Sequence, residues 1–357
     1  MRVYNFSAGP SQLPLPVLEQ AQKEFLNYNE SGMSITEMSH RSKPFMAVNE
    51  EANALLRKLL NISDEYAVLF VQGGASQQFA AVPLNLMVNG KADYIVTGNF
   101  ASKAYEEACK FGDVKIAGSS KDANYTYIPN VNSLSFRDDV DYVHFTHNNT
   151  IFGTKFNKLP NTDKTLVTDM SSSILSEVVN VNDFGLIYAG AQKNVAPAGV
   201  TIVIVKKSLL GNAMAQCPTM LNYSIQAKND SLYNTPPCFS IYMAMLVFRW
   251  LDKMGGIPVI QKINEEKAKL LYDFIDDSSF YTNKVNKADR SIMNVPFITP
   301  NEELDAKFIS EASKNGLVSL KGHRLAGGMR ASIYNAMPIE GVKALIDFMK
   351  KFELENK

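Results

Sequence analysis

The sequence is poor in the residues that stabilise secreted proteins and bind structural metals. It has three cysteines in 357 residues. Cys109, Cys217 and Cys238 lie far apart, and their spacing matches neither a disulfide framework nor a zinc site. His144 and His147 are close in sequence but have no third ligand nearby, so we expect no metal. An odd, sparse set of cysteines is typical of reduced thiols, which predicts a cytoplasmic protein.

Charge of one sign and long apolar runs are also lacking. Lysine plus arginine number 36, as do aspartate plus glutamate, so no basic surplus indicates nucleic-acid binding. No apolar run reaches the length of a membrane span, and the N-terminus contains no apolar signal core. We therefore expect small-molecule partners, with neither nucleic acid nor membrane among them.

The sequence does contain a large apolar fraction, 46 % of all residues, in an alternating pattern. Short apolar runs of strand length are followed by amphipathic stretches of helix length, which predicts an α/β fold with a mostly parallel sheet flanked by helices. The predicted strands are Tyr66–Val71, Asp93–Thr97, Tyr142–Thr146 and Thr165–Thr168, and the first two predicted helices are Ser76–Met87 and Ala101–Phe111.

A long apolar helix marks the predicted domain boundary. The run Phe239–Leu251 has helical spacing and ends at Lys253–Gly256, whose glycines are typical of a helix C-terminus. We therefore expect a large domain over residues 15–255. Residues 256–357, with the N-terminal segment 1–14, would form a smaller α+β domain. Its clearest predicted strands are Ser291–Ile298 and Gly328–Tyr334.

One lysine stands in an unusual place. Lys193 lies in a turn of small residues that contains Pro197 and separates two apolar runs. A lysine is rarely buried in such backbone unless its amine has a partner or a chemical role. An amine held near an aldehyde forms a Schiff base, so a carbonyl cofactor is one candidate for that role.

Other potentially chemical residues follow the predicted strands. The turn Gly73–Ser76, Phe100, Thr150 and Asp169 each come soon after a strand. Ligands of open α/β sheets bind outside the carboxyl ends of the strands, so these residues predict a cofactor pocket. Three of these features also have an ordinary alternative: the glycine turn could be a plain strand-to-helix turn, Phe100 a core phenylalanine, and Asp169 the cap of a turn.

The chemistry of these groups favours one cofactor. The glycine turn can present backbone N–H groups to a phosphate, although its spacing fits neither the P-loop nor the dinucleotide fingerprint. Asp169 can keep a pyridine nitrogen protonated, because a nearby anion favours the cation. Phe100 can stack on the ring. Together with Lys193, they suggest pyridoxal 5′-phosphate.

Several longer motifs carry a family resemblance. They are Asn5–Pro10, Met38–Arg41, Phe79–Asn85, Asp169–Ser172, Tyr188–Asn194, Asn234–Pro237 and Gly327–Pro338. In these segments the chain resembles the phosphoserine aminotransferases, which belong to the class V pyridoxal-phosphate-dependent aminotransferases. The resemblance implies a fold-type-I enzyme that forms a homodimer with active sites shared between subunits.

The resemblance also implies roles for individual residues. Lys193 would be the Schiff-base lysine, Asp169 would pair with the pyridine nitrogen, and Phe100 would stack on the ring. Thr150 would contact the side of the ring that carries the hydroxyl. The cofactor phosphate would be held by Ala75, Ser76 and Gln192, together with Asn234 and Thr235 of the partner subunit.

The implied substrate has a carboxylate at one end and a phosphate at the other, so it needs two cationic sites. Arg330, in a strand-like run, could grip the α-carboxylate through two hydrogen bonds. His323 and Arg324, with His40 and Arg41, are candidates for the distant anion. By resemblance, Arg41 would reach across from the other subunit. Taken without their motifs, Arg324 and Arg41 are ordinary surface charges.

The sequence departs from the family at two positions of the expected site. Ser76 stands where many members have an arginine that helps to bind the substrate phosphate, and Phe100 stands where a tryptophan is common. Stacking on the cofactor ring survives the second change. The first change leaves the substrate phosphate without one expected cation.

The implied reaction is reversible transamination of O-phospho-L-serine with 2-oxoglutarate, giving 3-phosphooxypyruvate and L-glutamate in serine biosynthesis. 4-Phosphooxy-L-threonine, in pyridoxine biosynthesis, is a second implied substrate. Three alternatives remain open at this stage. They are a class V aminotransferase for unphosphorylated small amino acids, a cysteine desulfurase and a non-catalytic α/β binding protein. No cysteine lies in a loop that suggests the mobile nucleophile of a desulfurase.

Overall fold

The structure, a computed structural model, describes residues 2–357. Within them, α-helices are interspersed with strands up to residue 119, and the strands from there to residue 206 follow one another without an α-helix between them. The helices are α1 (Leu15–Glu24), α2 (Lys43–Leu60), α3 (Gly74–Leu86), α4 (Asn99–Ala108), α5 (Tyr223–Lys228), α6 (Cys238–Lys253), α7 (Ile257–Asp277), α8 (Glu302–Lys314) and α9 (Ile339–Asn356). The strands are β1 (Tyr4–Asn5), β2 (Tyr66–Val71), β3 (Lys91–Val96), β4 (Asp113–Ser119), β5 (Tyr142–Thr146), β6 (Leu166–Asp169), β7 (Leu186–Gly190), β8 (Thr201–Lys206), β9 (Asn294–Phe297), β10 (Leu317–Val318) and β11 (Met329–Ser332).

Seven strands form the central sheet, in the order β2-β8-β7-β6-β5-β3-β4. Only β8 runs against its neighbours β2 and β7, and the other pairings are parallel. Strands β2, β5, β6 and β7 are buried along their whole length, as expected when helices cover both faces of a sheet. The predicted α/β fold with a mostly parallel, helix-flanked sheet is therefore confirmed.

The observed elements differ from the predicted ones mainly at their ends. Strand β5 has the predicted bounds, whereas α3 begins at Gly74, two residues before the predicted start. The predicted strand Ser291–Ile298 shortens to β9, because the Ser291 hydroxyl accepts hydrogen bonds from the N–H groups of Met293 and Asn294, both at 3.0 Å. These bonds make a turn where an apolar pattern alone predicts a strand.

A second hydrophobic cluster lies among the C-terminal elements. It joins Phe6 to residues of α7, α8, α9 and the β9–β11 pair. Strand β1 pairs in parallel with β10, which ties the N-terminal segment to this cluster. Ile257 and Ile260, at the start of α7, pack instead into the core beside α6. We propose the division into a large domain of residues 15–255 and a small domain of 256–357 with 1–14; the β1–β10 pairing supports it. Among residues 2–357, no helix is long and apolar enough to cross a membrane.

Candidate active site

The carboxyl ends of five strands meet at one edge of the central sheet and line a cavity of about 440 Å³. This volume lies in the range of small-molecule sites, about 300–1,000 Å³. The loops that follow β2, β3, β5, β6 and β7 supply most of its wall, and β11 adds one side. The lining residues are Ala8, Gly9, Gly73, Gly74, Ala75, Ser76, Phe100, Thr146, Asn148, Thr150, Ile151, Asp169, Ser171, Ser172, Gln192, Lys193, His323 and Arg330.

The turn between β7 and β8 places Lys193 in the cavity. The N–H groups of Val195 and Ala196 both donate to Ala191 O, which closes the turn directly after the lysine. Ser11, from the N-terminal segment, donates its N–H to Gln192 O at 2.9 Å and its hydroxyl to Lys193 O. The lysine backbone is therefore fixed from both sides, and its side chain is 9 % exposed.

The amine of Lys193 points at a hydroxyl and an aromatic ring. Its Nζ donates to Thr150 Oγ1 at 2.7 Å and lies 5.7 Å from the centroid of Phe100. Burial lowers the pKa of Lys193 from 10.5 to about 8, while the charge of Asp169 opposes this shift. A lysine with this pKa has far more neutral, nucleophilic amine near neutral pH than an exposed lysine.

Asp169 ends β6 at the floor of the cavity. Its carboxylate accepts a hydrogen bond from the Ser171 N–H at 2.8 Å and is 5 % exposed. Burial raises the pKa of Asp169, and the Ser171 contact and the charge of Lys193 oppose that rise. A buried carboxyl with a raised pKa is stabilised as an anion by a cationic partner, such as a protonated ring nitrogen.

The start of α3 forms an open wall of backbone. Gly73 and Gly74 have φ values of +89° and +66°, a region that residues with a side chain rarely adopt. A Cβ added to Gly74 would meet nothing within 4 Å, so the backbone here borders free space. Ala75 and Ser76 follow in the first turn of the helix. Their N–H groups lack helical partners, as is usual at an N-terminus, and suit an anion such as a phosphate.

Two basic residues of the C-terminal region reach the cavity. Arg330, in β11, donates through Nη1 to Thr150 O at 3.3 Å, while its buried Nε has no hydrogen-bond partner. Burial lowers the pKa of Arg330, and none of the ion pairs among residues 2–357 involves it. Its guanidinium is thus free to bind a carboxylate. His323 lines the same wall, and its Nδ1 accepts the Leu325 N–H at 3.2 Å.

Five of the predicted site residues do not line the cavity of their own chain. They are His40, Arg41, Asn234, Thr235 and Arg324. Arg41, Thr235 and Arg324 are exposed, and the carbonyl of Thr235 accepts a hydrogen bond from Gln72 Nε2 at 3.2 Å. Their predicted contacts with substrate or cofactor remain predictions. For all but Arg324, the prediction already required a second chain or allowed one.

The two histidines considered for a metal have other partners. His144 Nε2 lies 2.9 Å from the Tyr188 hydroxyl, and His147 Nδ1 lies 2.8 Å from Ser173 Oγ. Burial lowers the pKa of both rings to about 3, so both are neutral. Residues 2–357 contain no group of three or more side chains arranged to hold a metal.

Sequence reasoning missed several lining residues. Thr146 ends β5 and Asn148 follows it, both shortly before Thr150, so the strand-end argument that selected Thr150 could have found them. Ala8 and Gly9 had no such signal, because the N-terminal segment reaches the cavity only through long-range contacts. The buried Thr146 Oγ1 and Asn148 Oδ1 have no hydrogen-bond partner. Orphaned polar atoms in a cavity wall fit a polar ligand with acceptor and donor groups of its own.

Comparison with known proteins agrees with this geometry. The family model described as Aminotransferase class-V matches residues 3–345. The chain belongs to the class-V aminotransferase family. A phosphoserine aminotransferase of Bacillus cereus is 58 % identical over 358 residues, covering 100 % of this chain and 99 % of that protein.

Solved structures of this family superpose on nearly the whole chain. The phosphoserine aminotransferase from Bacillus circulans subsp. alkalophilus has a TM-score of 0.97 and 48 % identity, covering 100 % of this chain and 99 % of the other. The phosphoserine aminotransferase from Trichomonas vaginalis, solved with pyridoxal phosphate bound, has a TM-score of 0.94 and 39 % identity, covering 98 % and 100 %. In this class-V aminotransferase, the buried lysine, the buried carboxylate and the orphaned polar atoms fit that cofactor.

Proposed function

We propose that this protein is a pyridoxal-phosphate-dependent aminotransferase that moves the amino group of O-phospho-L-serine to 2-oxoglutarate. The products are 3-phosphooxypyruvate and L-glutamate, and 4-phosphooxy-L-threonine is a second proposed substrate. The observation that carries the proposal is the Lys193 amine, buried at the strand ends and held 2.7 Å from Thr150 Oγ1. The full-length similarity to phosphoserine aminotransferases supports the choice of substrate.

Different residues of the chain would bind different parts of the cofactor. When bound, pyridoxal phosphate supplies an aldehyde that condenses with amines and a pyridinium ring that accepts electron density from the substrate. Asp169 would hold the proton on the ring nitrogen, and Phe100 would stack against the ring. Thr150 would contact the side that carries the ring hydroxyl. The phosphate would be bound by Ala75 and Ser76 at the α3 N-terminus and by Gln192.

Substrate turnover then depends on one amine and one guanidinium. Lys193 Nζ would take the proton from Cα of the amino-acid substrate and later return a proton, acting as general base and acid. Its lowered pKa, about 8, suits both roles near neutral pH. Arg330 would hold the α-carboxylate through its guanidinium, whose Nε has no partner in the structure. This grip keeps Cα within reach of the lysine.

Replacing Lys193 with Ala tests this assignment. The variant should lose turnover of phosphoserine and the visible absorption band of the bound cofactor, while its far-ultraviolet circular dichroism stays that of the wild type. Lys206→Ala, in the neighbouring strand β8 and outside the cavity, is the matched control and should keep both properties. Full transaminase activity in the Lys193→Ala variant would contradict the assignment.

We propose, in addition, that two copies of the chain form a homodimer with shared active sites. The exposure of Arg41 and Thr235, away from the cavity of their own chain, supports a role in the site of a partner. In this arrangement the partner would supply Asn234 and Thr235 to the cofactor phosphate. Arg41, with His40, would face the distant anion of the substrate, together with His323 and Arg324.

Mixing two inactive variants tests the shared site. When Lys193→Ala and Arg41→Ala chains are unfolded and refolded together, half of the dimers are hybrids with one complete site of two, so about a quarter of wild-type activity should return. If Arg41 acts within its own chain, no site in any hybrid is complete. Mixtures that remain as inactive as the separate variants, despite hybrid formation, would therefore refute the shared site.

A further inference from the structure

Because Ser76 replaces an arginine, the proposed substrate site has one cation fewer than that of many family members. The proposed substrate phosphate carries close to two negative charges at neutral pH, and family members often have an arginine where this chain has Ser76. Asp169 is the single carboxylate among the residues that line the cavity, and it lies at the floor. In addition to His40, Arg41, His323 and Arg324, which are assigned to the distant anion, a further cation at the mouth of the cavity would compensate for the missing arginine.

Helix α4 carries a suitable cation close to this mouth. Its first turn contains Phe100, which lines the cavity, and Lys103 lies three residues further on. Residues three apart share a helix face, with Cβ atoms about 5–6 Å apart. Helical side chains also lean toward the N-terminus of their helix, so the Lys103 side chain covers the turn that contains Phe100.

The carboxylates nearest to Lys103 on its own helix are engaged elsewhere. Glu106 accepts a hydrogen bond from the Ser102 hydroxyl at 2.9 Å, and Glu107 pairs with Lys110 at 2.6 Å. No ion pair between residues 2 and 357 involves Lys103. An exposed lysine without a carboxylate partner keeps its full charge available for an anionic ligand.

The charge of Lys103 also acts on a residue of the cavity wall. The pKa of His323 is lowered first by burial and then by the charges of Arg330, Arg324 and Lys103. Three cations, from two different parts of the chain, therefore act on the same ring through their charge. Arg330 is assigned to the α-carboxylate, so Lys103 and Arg324 are the two of these cations that remain for the distant anion.

We propose that Lys103, together with His323, binds the phosphate of the substrate and replaces the arginine that Ser76 lacks. This inference rests on the proposed function. It makes Lys103 a specificity-determining residue: its charge favours a substrate that carries a phosphate over one that carries a hydroxyl. Lys103 takes no part in the proton transfer, which belongs to Lys193.

Two lysines of α4 and its C-terminal end provide the experiment. Lys103→Met removes the proposed contact and keeps most of the aliphatic side chain. Lys110→Met is the matched control, because Lys110 is exposed and already paired with Glu107. The measured quantity is the ratio of kcat/KM for phosphoserine to kcat/KM for L-serine, with 2-oxoglutarate as acceptor and the holoenzyme at two ionic strengths.

The expected result follows from the electrostatics of an exposed pair. One positive and two negative charges about 7 Å apart in water change binding about five- to tenfold, and the ratio should fall by this factor in Lys103→Met. The fall should shrink at high salt because mobile ions screen an exposed pair. Lys103→Arg should restore the ratio, and Lys110→Met should leave it at the wild-type value.

The possible failures are distinguishable. If the wild type shows no preference for phosphoserine, the proposed function fails before the role of Lys103 is reached. If the wild type has the preference and Lys103→Met keeps it, the role of Lys103 is overturned and the proposed function stands. A variant that loses serine and phosphoserine turnover by the same factor would also overturn the inference, because that outcome indicates general disruption of the site.

Discussion

Replacing Lys267 with Met should destabilise the junction that supports the active-site lysine. Lys267, in α7, is completely buried, and its Nζ donates to the carbonyls of Ile333, Tyr334 and Met337 at 3.0, 2.8 and 3.0 Å. The turn it closes contains Asn335, whose N–H donates to Asn194 Oδ1 at 3.0 Å. Asn194 directly follows Lys193, so this hydrogen bond helps to fix the backbone next to the catalytic lysine.

The magnitude follows from the hydrogen bonds that are lost. Tyr334 O keeps the N–H of Met337 as a second donor at 2.9 Å, so the main loss falls on the carbonyls of Ile333 and Met337. Burial lowers the pKa of Lys267 to about 7. The cost of burying its charge therefore offsets part of the stabilisation that its three hydrogen bonds provide. The variant leaves two buried carbonyls without a donor, but it also no longer buries a charged amine. The net effect is a loss of about 3 kcal/mol in the free energy of unfolding.

Thermal unfolding of the holoenzyme measures this loss. With an unfolding entropy of about 2.1 cal/mol/K per residue, a loss of about 3 kcal/mol lowers the Tm of a chain of this length by about 4 °C. Lys269→Met is the control, because Lys269 is exposed on the same helix and pairs only with Asp273. It should change the free energy of unfolding by less than about 0.5 kcal/mol. Equal Tm values for Lys267→Met and the wild type would refute the reasoning.

Three further predictions concern the site itself. Asp169→Asn should lower kcat with saturating cofactor by roughly a hundredfold, about 3 kcal/mol of transition-state stabilisation, and steady-state kinetics would show this; an unchanged kcat would contradict the role of the carboxylate. Arg330→Lys should raise KM for phosphoserine about tenfold with little change in kcat, because a lysine cannot make the two-point contact with a carboxylate; a change confined to kcat would contradict it. The neutral amine of Lys193 is the reactive form, and the pKa of this amine is lowered from 10.5 to about 8. The rate at which the apoprotein binds pyridoxal phosphate should therefore rise with pH and level off above about pH 8. A rate that still rises steeply near pH 10 would contradict the lowered pKa.

Much of the fold and the floor of the site was predictable from local sequence patterns. Strand β5 matched its apolar run because a fully buried strand needs apolar side chains on both faces. The glycine turn, Thr150 and Asp169 were predicted because parallel strands present their carboxyl ends at one edge. Lys193 was predicted because a lysine is rarely buried in a small-residue turn without a partner or a chemical role. The cavity there contains all of them.

The rest of the site depends on contacts between distant parts of the chain. Ala8 reaches the cavity because the Tyr334 hydroxyl donates to its carbonyl at 2.9 Å, across more than three hundred residues. Asn148 is held by a hydrogen bond of 2.9 Å to Asn294 Oδ1, in β9. No local period or turn motif specifies such pairs. The positions of Arg41 and Thr235 relative to a second chain likewise depend on an interface that local patterns do not encode.

We propose that this class-V aminotransferase selects a phosphorylated amino acid over its unphosphorylated counterparts. Steady-state kinetics of the wild-type holoenzyme test it most directly, with O-phospho-L-serine, L-serine and L-alanine compared at the same concentration of 2-oxoglutarate. We expect a kcat/KM for phosphoserine that is higher by at least about a hundredfold, since a charge-paired phosphate contributes roughly 3 kcal/mol. Equal values for the three amino acids would contradict it.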